Sequence, residues 1–467
     1  MYYSKYNIIV HLKNYPSYSI IHNLFHSQAT LVSNDFIKRL QEAIQRDTIS
    51  DMDPGDIELL KSRSFVYSDQ DEEKQEIQRT YEAFSASSGG PKYFRHYEIL
   101  LSYGCNLRCS YCFQKDRHDG LPMSRQRLAL ALKAIEELDE KATKNAFGDN
   151  DNARPALTIA GGEPLQYIPA HLELLEDIIE FSRSHDMNYD FTSNGYDLAK
   201  FIPFFQANGK CPTSIQITLD GVGTTHDRRR PHVSNGGSFS YIVDGIDAAL
   251  KADILISLRV NVDRDNVDGL DLMAQLIEER GWTEKVLPYV APVTDHSGVN
   301  GEYEGMESEN VLCRKILERF QGNPALRKLF ALRNFRGFEY VRACVETGKK
   351  SPPTFWRCEA MLGQKIFDPK GDIYSCFEGS GISKAQVGKY DPEFVLYPEL
   401  LEQWSNLETL KSLHCADCRF AFVCAGGCPW HVIRTGKPEC VPLKHQVTMA
   451  WNYFADLVLN NENSSSR

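Results

Sequence analysis

The apolar positions of this chain change period along its length. Near the N-terminus YNIIVHL (6–12), SYSIIHNLF (17–25) and SQATLV (27–32) are short apolar runs that read as three strands. FIKRLQEAIQR (36–46) and GDIELLKSRSF (55–65) switch to helical spacing. A polar, charge-dense stretch (68–91) ends in turn formers and reads as an exposed connector. From Tyr97 the pattern becomes strand, turn, helix, repeated. YEILLSY, ALTIA, NYDFT, SIQITL, ILISLRVNV and VLPYVA are six apolar or β-branched runs. Helices between them carry Leu128, Leu132, Ile135 and Leu138; Leu172, Leu175, Ile178 and Ile179; and Leu270, Met273, Leu276 and Ile277 on single faces. Such alternation predicts an α/β fold, a parallel sheet with helices outside it, open or curled into a partial (β/α)6 TIM-type barrel. Chemistry in these folds gathers at the C-terminal strand ends.

The expected organisation is a small α+β unit (1–80), a linker (81–96), the barrel core (97–295), a helical connector (296–357), a cysteine-rich unit (358–450) and a helix end with a disordered tail, NNENSSSR (451–467). No internal repeat is visible.

Composition changes this picture in two places. Apolar residues at 42% and charged residues at 25% are ordinary for a globular protein, and 467 residues suffice for two or three domains. No run approaches the roughly 20 apolar residues of a membrane helix, and the N-terminus lacks a signal-peptide layout. A cytoplasmic protein is expected. A formal charge of −11 argues against nucleic acid and anionic lipid as partners. The thirteen cysteines are the other departure. In a reducing compartment, clustered thiols are metal ligands or catalysts more often than disulfides, whereas solitary ones are packing residues.

Directly after the first barrel strand comes CNLRCSYC, with Cys105, Cys109 and Cys112. Three thiolates on one loop can hold three irons of a [4Fe–4S] cube, leaving the fourth iron for a small-molecule ligand. Zinc is the rival, but it wants four ligands, and the loop offers no adjacent His or fourth Cys. Further motifs end the next strands: AGGEP (160–164), FTSNG (191–195), and Arg259 with Asn261 at alternate positions of the fifth strand, hence on one face.

CxxxCxxC in this setting resembles the radical S-adenosylmethionine superfamily. That resemblance implies a first cluster on Cys105, Cys109 and Cys112 and a cofactor, S-adenosylmethionine, that is reductively cleaved to a 5′-deoxyadenosyl radical. It places Tyr111 beside the adenine, Gly161, Gly162 and Glu163 at the amino group, Ser193 and Asn194 at the ribose or carboxylate, and Arg259 and Asn261 at the carboxylate. An electron donor of flavodoxin or ferredoxin type is implied too.

The C-terminal cysteines follow the order C, GxxxxC, CxxCxxxxxCxxxC, C: Cys358, Cys376, then Cys415, Cys418, Cys424 and Cys428, then Cys440. A zinc ribbon would use fewer thiols. The order resembles the SPASM domain of peptide- and protein-modifying members of the superfamily. By that resemblance Cys415, Cys418, Cys424 and Cys440 hold an outer auxiliary cluster, and Cys358, Cys376 and Cys428 an inner one, making three [4Fe–4S] clusters in all. The inner set lacks an evident fourth ligand. Cys344 or Cys313 could complete it, or an iron stays open for a substrate thiolate or another donor; Cys211 reads as packing.

The resemblance implies a ribosomally made precursor peptide as substrate, oxidatively crosslinked through a thioether, ether or carbon–carbon bond, with epimerisation open. LDGVGTTHDRRR (219–230) resembles the fourth-strand region of such maturases, with Asp220, Asp227 and Arg229 expected to face substrate. The N-terminal unit resembles a leader-peptide recognition element, which would bind a leader at a sheet edge; a plain docking domain fits equally. Sulfatase-type maturation to formylglycine is the alternative, weakened because Phe377 stands after Cys376 where several such maturases have Asp. Asp220 and Glu378 are the candidate catalytic residues. A non-catalytic iron–sulfur or zinc protein that binds peptide or passes electrons is the rival of another class.

Overall fold

The structure is a computed structural model describing residues 1–86, 95–145, 155–234, 236–296, 298, 303–348, 351–412, 415–441 and 443–465. At the N-terminus β1 (Tyr2–Tyr3) pairs with β5 (Val66–Tyr67). Between them lie the antiparallel sheet β2 (Asn7–His11), β3 (Tyr18–Asn23) and β4 (Gln28–Ser33) and helices α1 (Asn34–Arg46) and α2 (Pro54–Ser62). Both helices start as their sequence dictates: Ser33 Oγ accepts from the Phe36 N–H at 3.2 Å, and the Asp53 carboxylate from Gly55 N–H at 2.9 Å.

The expected connector is instead a helix, α3 (Gln70–Ser85), capped by Asp69. Ile77, with Tyr81 and Phe84 at i+4 and i+7, packs with Tyr6, Phe25, Phe355 and Phe422. One apolar stripe on a charged helix is enough to dock it. Residues 87–94 of the expected linker lie outside the described residues.

The core follows: β6 (His96–Leu100), α4 (Arg125–Asn145), β7 (Ala156–Ala160), α5 (Pro169–Ser184), β8 (Asn188–Ser193), α6 (Leu198–Ala207), β9 (Ser214–Thr218), α7 (Thr224–Arg229), α8 (Phe239–Lys251), β10 (Leu255–Val262), α9 (Leu270–Glu279) and β11 (Val286–Pro292). The six strands are parallel and adjacent in chain order, a partial barrel with helices outside. Helices α10 (Glu309–Gly322), α11 (Pro324–Leu329) and α12 (Arg336–Thr347) come next.

After the short α13 (Glu359–Leu362), strand β12 (Lys365–Phe367) pairs parallel with β6, and β13 (Asp372–Tyr374), β14 (Gln386–Lys389) and β15 (Val395–Leu396) continue antiparallel. The barrel sheet thus runs into the cysteine-rich unit, which satisfies the ladder groups on the free edge of β6. Helices α14 (Pro398–Ser405), α15 (Ala421–Cys424) and α16 (Pro429–Thr435) follow, with Cys424 ending α15 and Cys428 at the N-cap of α16, and α17 (Leu443–Ser465) packs against α12. The backbone of α17 runs through most of NNENSSSR, read from sequence as disordered, because a helix nucleated and packed upstream extends at little cost. Ser466 and Arg467 lie outside the described residues. Among the described residues no helix is long and apolar enough to cross a membrane.

Candidate active site

The loop after β6 is held from below and from the side. Arg108 N–H donates to Pro231 O at 2.8 Å and Ser110 N–H to Arg229 O at 3.0 Å. Leu107 N–H points at Cys105 Sγ at 3.3 Å, and Asn194 Nδ2 approaches the same sulfur at 3.7 Å. Cys105, Cys109 and Cys112 all line one cavity of about 560 Å³, a size suited to a cofactor. Burial pushes Cys105 up to about 12, with Cys109 and Glu163 adding repulsion, and Cys109 up to about 11, with Arg230 opposing. Three half-buried thiols in one another's field ionise when a multivalent cation joins them, so this donor set fits an iron–sulfur cluster. The expectation of no histidine beside the loop is corrected: His118 Nε2 lies 3.8 Å from Cys112 Sγ and lines the cavity.

Gly161 and Gly162 also line the cavity, and they let β7's end run against the cysteine loop's backbone. A Cβ on Gly161 would stand 2.4 Å from Ser102 O, and one on Gly162 2.2 Å from Gly104 O. Glu163 does not line the cavity. It is buried behind the wall, accepting from Ser193 Oγ at 2.7 Å, Asn194 N–H at 2.6 Å and Leu165 N–H at 2.8 Å. Burial raises it to about 7 against those three bonds. Its role here is to shape the Ser193–Asn194 turn, whose side chains do reach the cavity.

Arg259 and Asn261 share a face as expected, Arg259 Nε donating to Asn261 Oδ1 at 2.6 Å, and both line the cavity. Asn261 Nδ2 donates to the Tyr111 hydroxyl at 3.0 Å, as does Arg230 Nη1 at 2.8 Å. Tyr111 in turn donates to Asp220. Its ring is therefore fixed against the cavity by three partners.

Asp220 does not face substrate, and this corrects its assignment as catalytic. It is fully buried, accepts from Asn261 N–H at 2.9 Å, and lies 3.7 Å from Arg229 Nε. A carboxylate so committed is a support for Tyr111. Arg229 is likewise buried and pairs with Asp263 at 2.6 Å, while Asp227, half-buried, accepts from Ser238 and Phe239 N–H at the start of α8. Glu378 lines the cavity, and its Oε2 is buried with no hydrogen-bond partner. Burial raises its pKa, with His296 and Arg259 opposing.

Phe377 reaches the same cavity, its ring 5.3 Å from that of Phe113, and Arg117 donates to Phe113 O and Ser380 O. The turn after Cys376 therefore packs against the segment that follows the Cys105 loop. The C-terminal thiols fall into two groups. Cys358 and Cys428 act on Cys376, each raising it further beyond what burial does; Cys424, Cys418 and Cys440 act on Cys415 in the same way. Between Cys424 and Cys428 three left-handed residues, Ala425, Gly426 and Gly427 (φ 51°, 86° and 78°), turn the chain so that the two cysteines serve different groups. Arg357, half-buried, carries charge towards both, attracted by Cys424, Cys358 and Cys428 although desolvation lowers its pKa. Cys344 faces Ser27 and Ser351 near the N-terminal unit, Cys313 is buried on α10, and Cys211 packs against the core.

Sequence reasoning missed Arg230, Arg357 and a polar layer inside the barrel. Glu98, Thr158, Asp190, Gln216 and Ser257 stand on successive strands and all line the cavity. Their signal was present as one polar residue at an inward position of each strand.

Residues 99–277 match the Radical SAM superfamily. A cysteine-type anaerobic sulfatase-maturating enzyme of Clostridium novyi (strain NT) is 24% identical over 342 residues, 70% of this chain and 85% of that protein. Among solved structures, anSMEcpe with bound AdoMet superposes with a TM-score of 0.56 at 17% identity, covering 78% of this chain and 98% of that one. Streptococcus suis SuiB bound to precursor peptide SuiA gives 0.51 at 13%, covering 94% and 98%.

Proposed function

We propose that this chain, a radical SAM enzyme by its residues 99–277, holds three [4Fe–4S] clusters and oxidatively modifies a ribosomally made precursor peptide. The observation that carries this reading is the shared cavity. The Cys105 loop lines it, and so do Phe377 and Glu378 from the turn after Cys376. A substrate residue in that cavity would meet a hydrogen-abstracting group, a base and an electron acceptor together.

Cys105, Cys109 and Cys112 would hold the first cluster, Cys358, Cys376 and Cys428 the inner auxiliary one, and Cys415, Cys418, Cys424 and Cys440 the outer. The cluster with S-adenosylmethionine supplies reductive cleavage of the sulfonium and hydrogen abstraction from carbon. The chain's own residues position and tune. Tyr111, fixed by Asp220, Asn261 and Arg230, offers a ring face for the adenine. Arg259 presents a cation for a carboxylate, Ser193 and Asn194 present polar groups from a turn that Glu163 holds, and Glu378 accepts a substrate proton.

A peptide substrate is supported by the neighbours, one bound to its precursor peptide, and by the N-terminal sheet, where β4 is an edge strand. The wider coverage of that neighbour, 94% of this chain against 78% for the sulfatase-maturase structure, favours the precursor-peptide reading. The electron donor would be a flavodoxin or ferredoxin in a cytoplasmic setting.

The test is iron and sulfide content and 5′-deoxyadenosine formation by anaerobically purified, reduced protein, beside a Cys105, Cys109, Cys112→Ala variant. About twelve irons, falling to about eight with loss of 5′-deoxyadenosine, is the expected outcome. Roughly four irons in the unaltered chain, or zinc in their place, would sink the three-cluster reading.

A further inference from the structure

The inner auxiliary group has three cysteines, and a [4Fe–4S] cube takes four protein ligands when closed. Neither cysteine considered from sequence completes it. Cys344 faces Ser27 and Ser351, and Cys313 lies in the core beside Glu309. A different residue does stand there. His296 follows β11 by four positions, and its ring nitrogen, a Glu439 carboxylate oxygen and Cys428 Sγ all lie within 4.8 Å of one another.

The surroundings orient this histidine. Its Nδ1 is 3.0 Å from Glu439 Oε1, while Glu439 Oε2 accepts from the Cys428 N–H at 3.2 Å. Both carboxylate oxygens are thus engaged, and the carboxylate selects the tautomer that carries hydrogen on Nδ1. The ring is also hydrogen-bonded to Cys428; a metal that takes the place of that proton would bind Nε2, the arrangement that carboxylates commonly impose on metal-bound histidines. The His296 carbonyl accepts from Arg434 Nε at 3.0 Å, which fixes the backbone.

We propose that His296, through Nε2, is the fourth protein ligand of the inner auxiliary cluster, with Glu439 as its positioning residue. The proposal rests on the reading of Cys358, Cys376 and Cys428 as that cluster's other ligands. Two consequences follow. A neutral imidazole in place of a thiolate makes the cluster less negative and raises its potential, as histidine does in Rieske centres. A closed cluster also leaves no iron for a substrate thiolate, so this cluster accepts electrons without binding the peptide.

The experiment uses full-length protein carrying Cys105, Cys109 and Cys112→Ala, so that only auxiliary clusters contribute. The reduced protein is examined by pulsed electron paramagnetic resonance with natural-abundance and ¹⁵N-histidine labelling, alongside iron and zinc analysis. The expected result is about eight irons and a strong ¹⁴N coupling that converts to a ¹⁵N pattern on labelling. His296→Cys should lose that coupling, keep its iron and shift one auxiliary midpoint potential downward. Glu439→Gln should weaken the coupling without removing it.

Roughly eight irons with no strong nitrogen coupling, or a coupling that survives in His296→Cys, overturns the histidine and leaves the cluster reading intact. About four irons, with or without one zinc, overturns both.

Discussion

The Tyr111 hydroxyl donates its hydrogen bond to Asp220, a carboxylate with no measurable exposure 109 residues further along the chain. The cysteine loop is thereby tied to the end of β9, and Asn261 and Arg230 complete the bracket. A charged acceptor lost from a buried bond costs about 1.5–3 kcal/mol, which is roughly 10- to 100-fold in an equilibrium. Asp220→Asn should weaken S-adenosylmethionine binding by about that factor, with Tyr111→Phe milder because the ring remains. Equilibrium dialysis on reconstituted protein checks this. Unchanged affinity in Asp220→Asn would mean that the tether does not set the ring.

Glu378 offers a separable test, because it reaches the cavity from the turn after Cys376 and not from the Cys105 loop. Glu378→Gln should leave 5′-deoxyadenosine formation in place and lower peptide modification by about 100-fold or more, the usual worth of a general base. Burial raises this carboxyl against His296 and Arg259. A base works ionised, so modification in the unaltered enzyme should rise as pH climbs through that raised value, and the Gln variant should lose the rise. Equal loss of both products would place Glu378 in cofactor handling instead.

What could be read from sequence divides along physical lines. The six strands and the helices between them were legible because each buries one face and writes a clean period. The cysteine groups were legible because ligand spacing is local. Three things were not. α3 was hidden by its charge, although Ile77, Tyr81 and Phe84 keep helical spacing against Phe355 and Phe422. Asp220 and Arg229 read from sequence as substrate-facing, and only the fold shows that Asp263 and Tyr111 close over them. The proximity of His296 to Cys428 spans more than a hundred residues and leaves no local trace.

The polar layer inside the barrel makes a prediction about stability. Glu98 is buried, and burial pushes its pKa up to about 8, with His96 opposing, from an ordinary value of 4.5. A folded-state pKa above the unfolded value contributes stability that is full below about 4.5 and lost as pH rises towards 8. Glu98→Gln cannot ionise and removes that loss. The variant's stability relative to the unaltered chain should therefore improve between about pH 5 and pH 8.5, by at most about 1.4 kcal/mol per unit crossed. Urea midpoints at both ends of the range decide it. A difference that does not change with pH would show that Glu98 ionises without cost inside the barrel.

The last prediction concerns the seam that joins the two ends of the chain. Trp451 on α17 donates from Nε1 to His22 Nδ1 on β3 at 3.0 Å, and His22 stacks on Tyr340 with ring centroids 5.2 Å apart. Burial lowers His22 to about 3, so the imidazole is neutral and the bond carries no charge. Two effects can then be separated. Trp451→Phe keeps much of the packing and leaves the Nδ1 acceptor unpaired, costing about 1–3 kcal/mol. Trp451→Ala adds a cavity and should cost about 3–5 kcal/mol. If the seam holds the N-terminal unit in place, the Ala variant should also become sensitive to proteolysis within residues 1–86 before the barrel unfolds, because the docking contacts of Lys13 and Asn14 with Asn452 and Asp456 lie on the same helix. Cleavage and global unfolding at the same denaturant concentration would instead make the N-terminal sheet part of one cooperative unit with the barrel, and the leader-binding reading of that sheet would then need a rigid rather than a mobile docking surface.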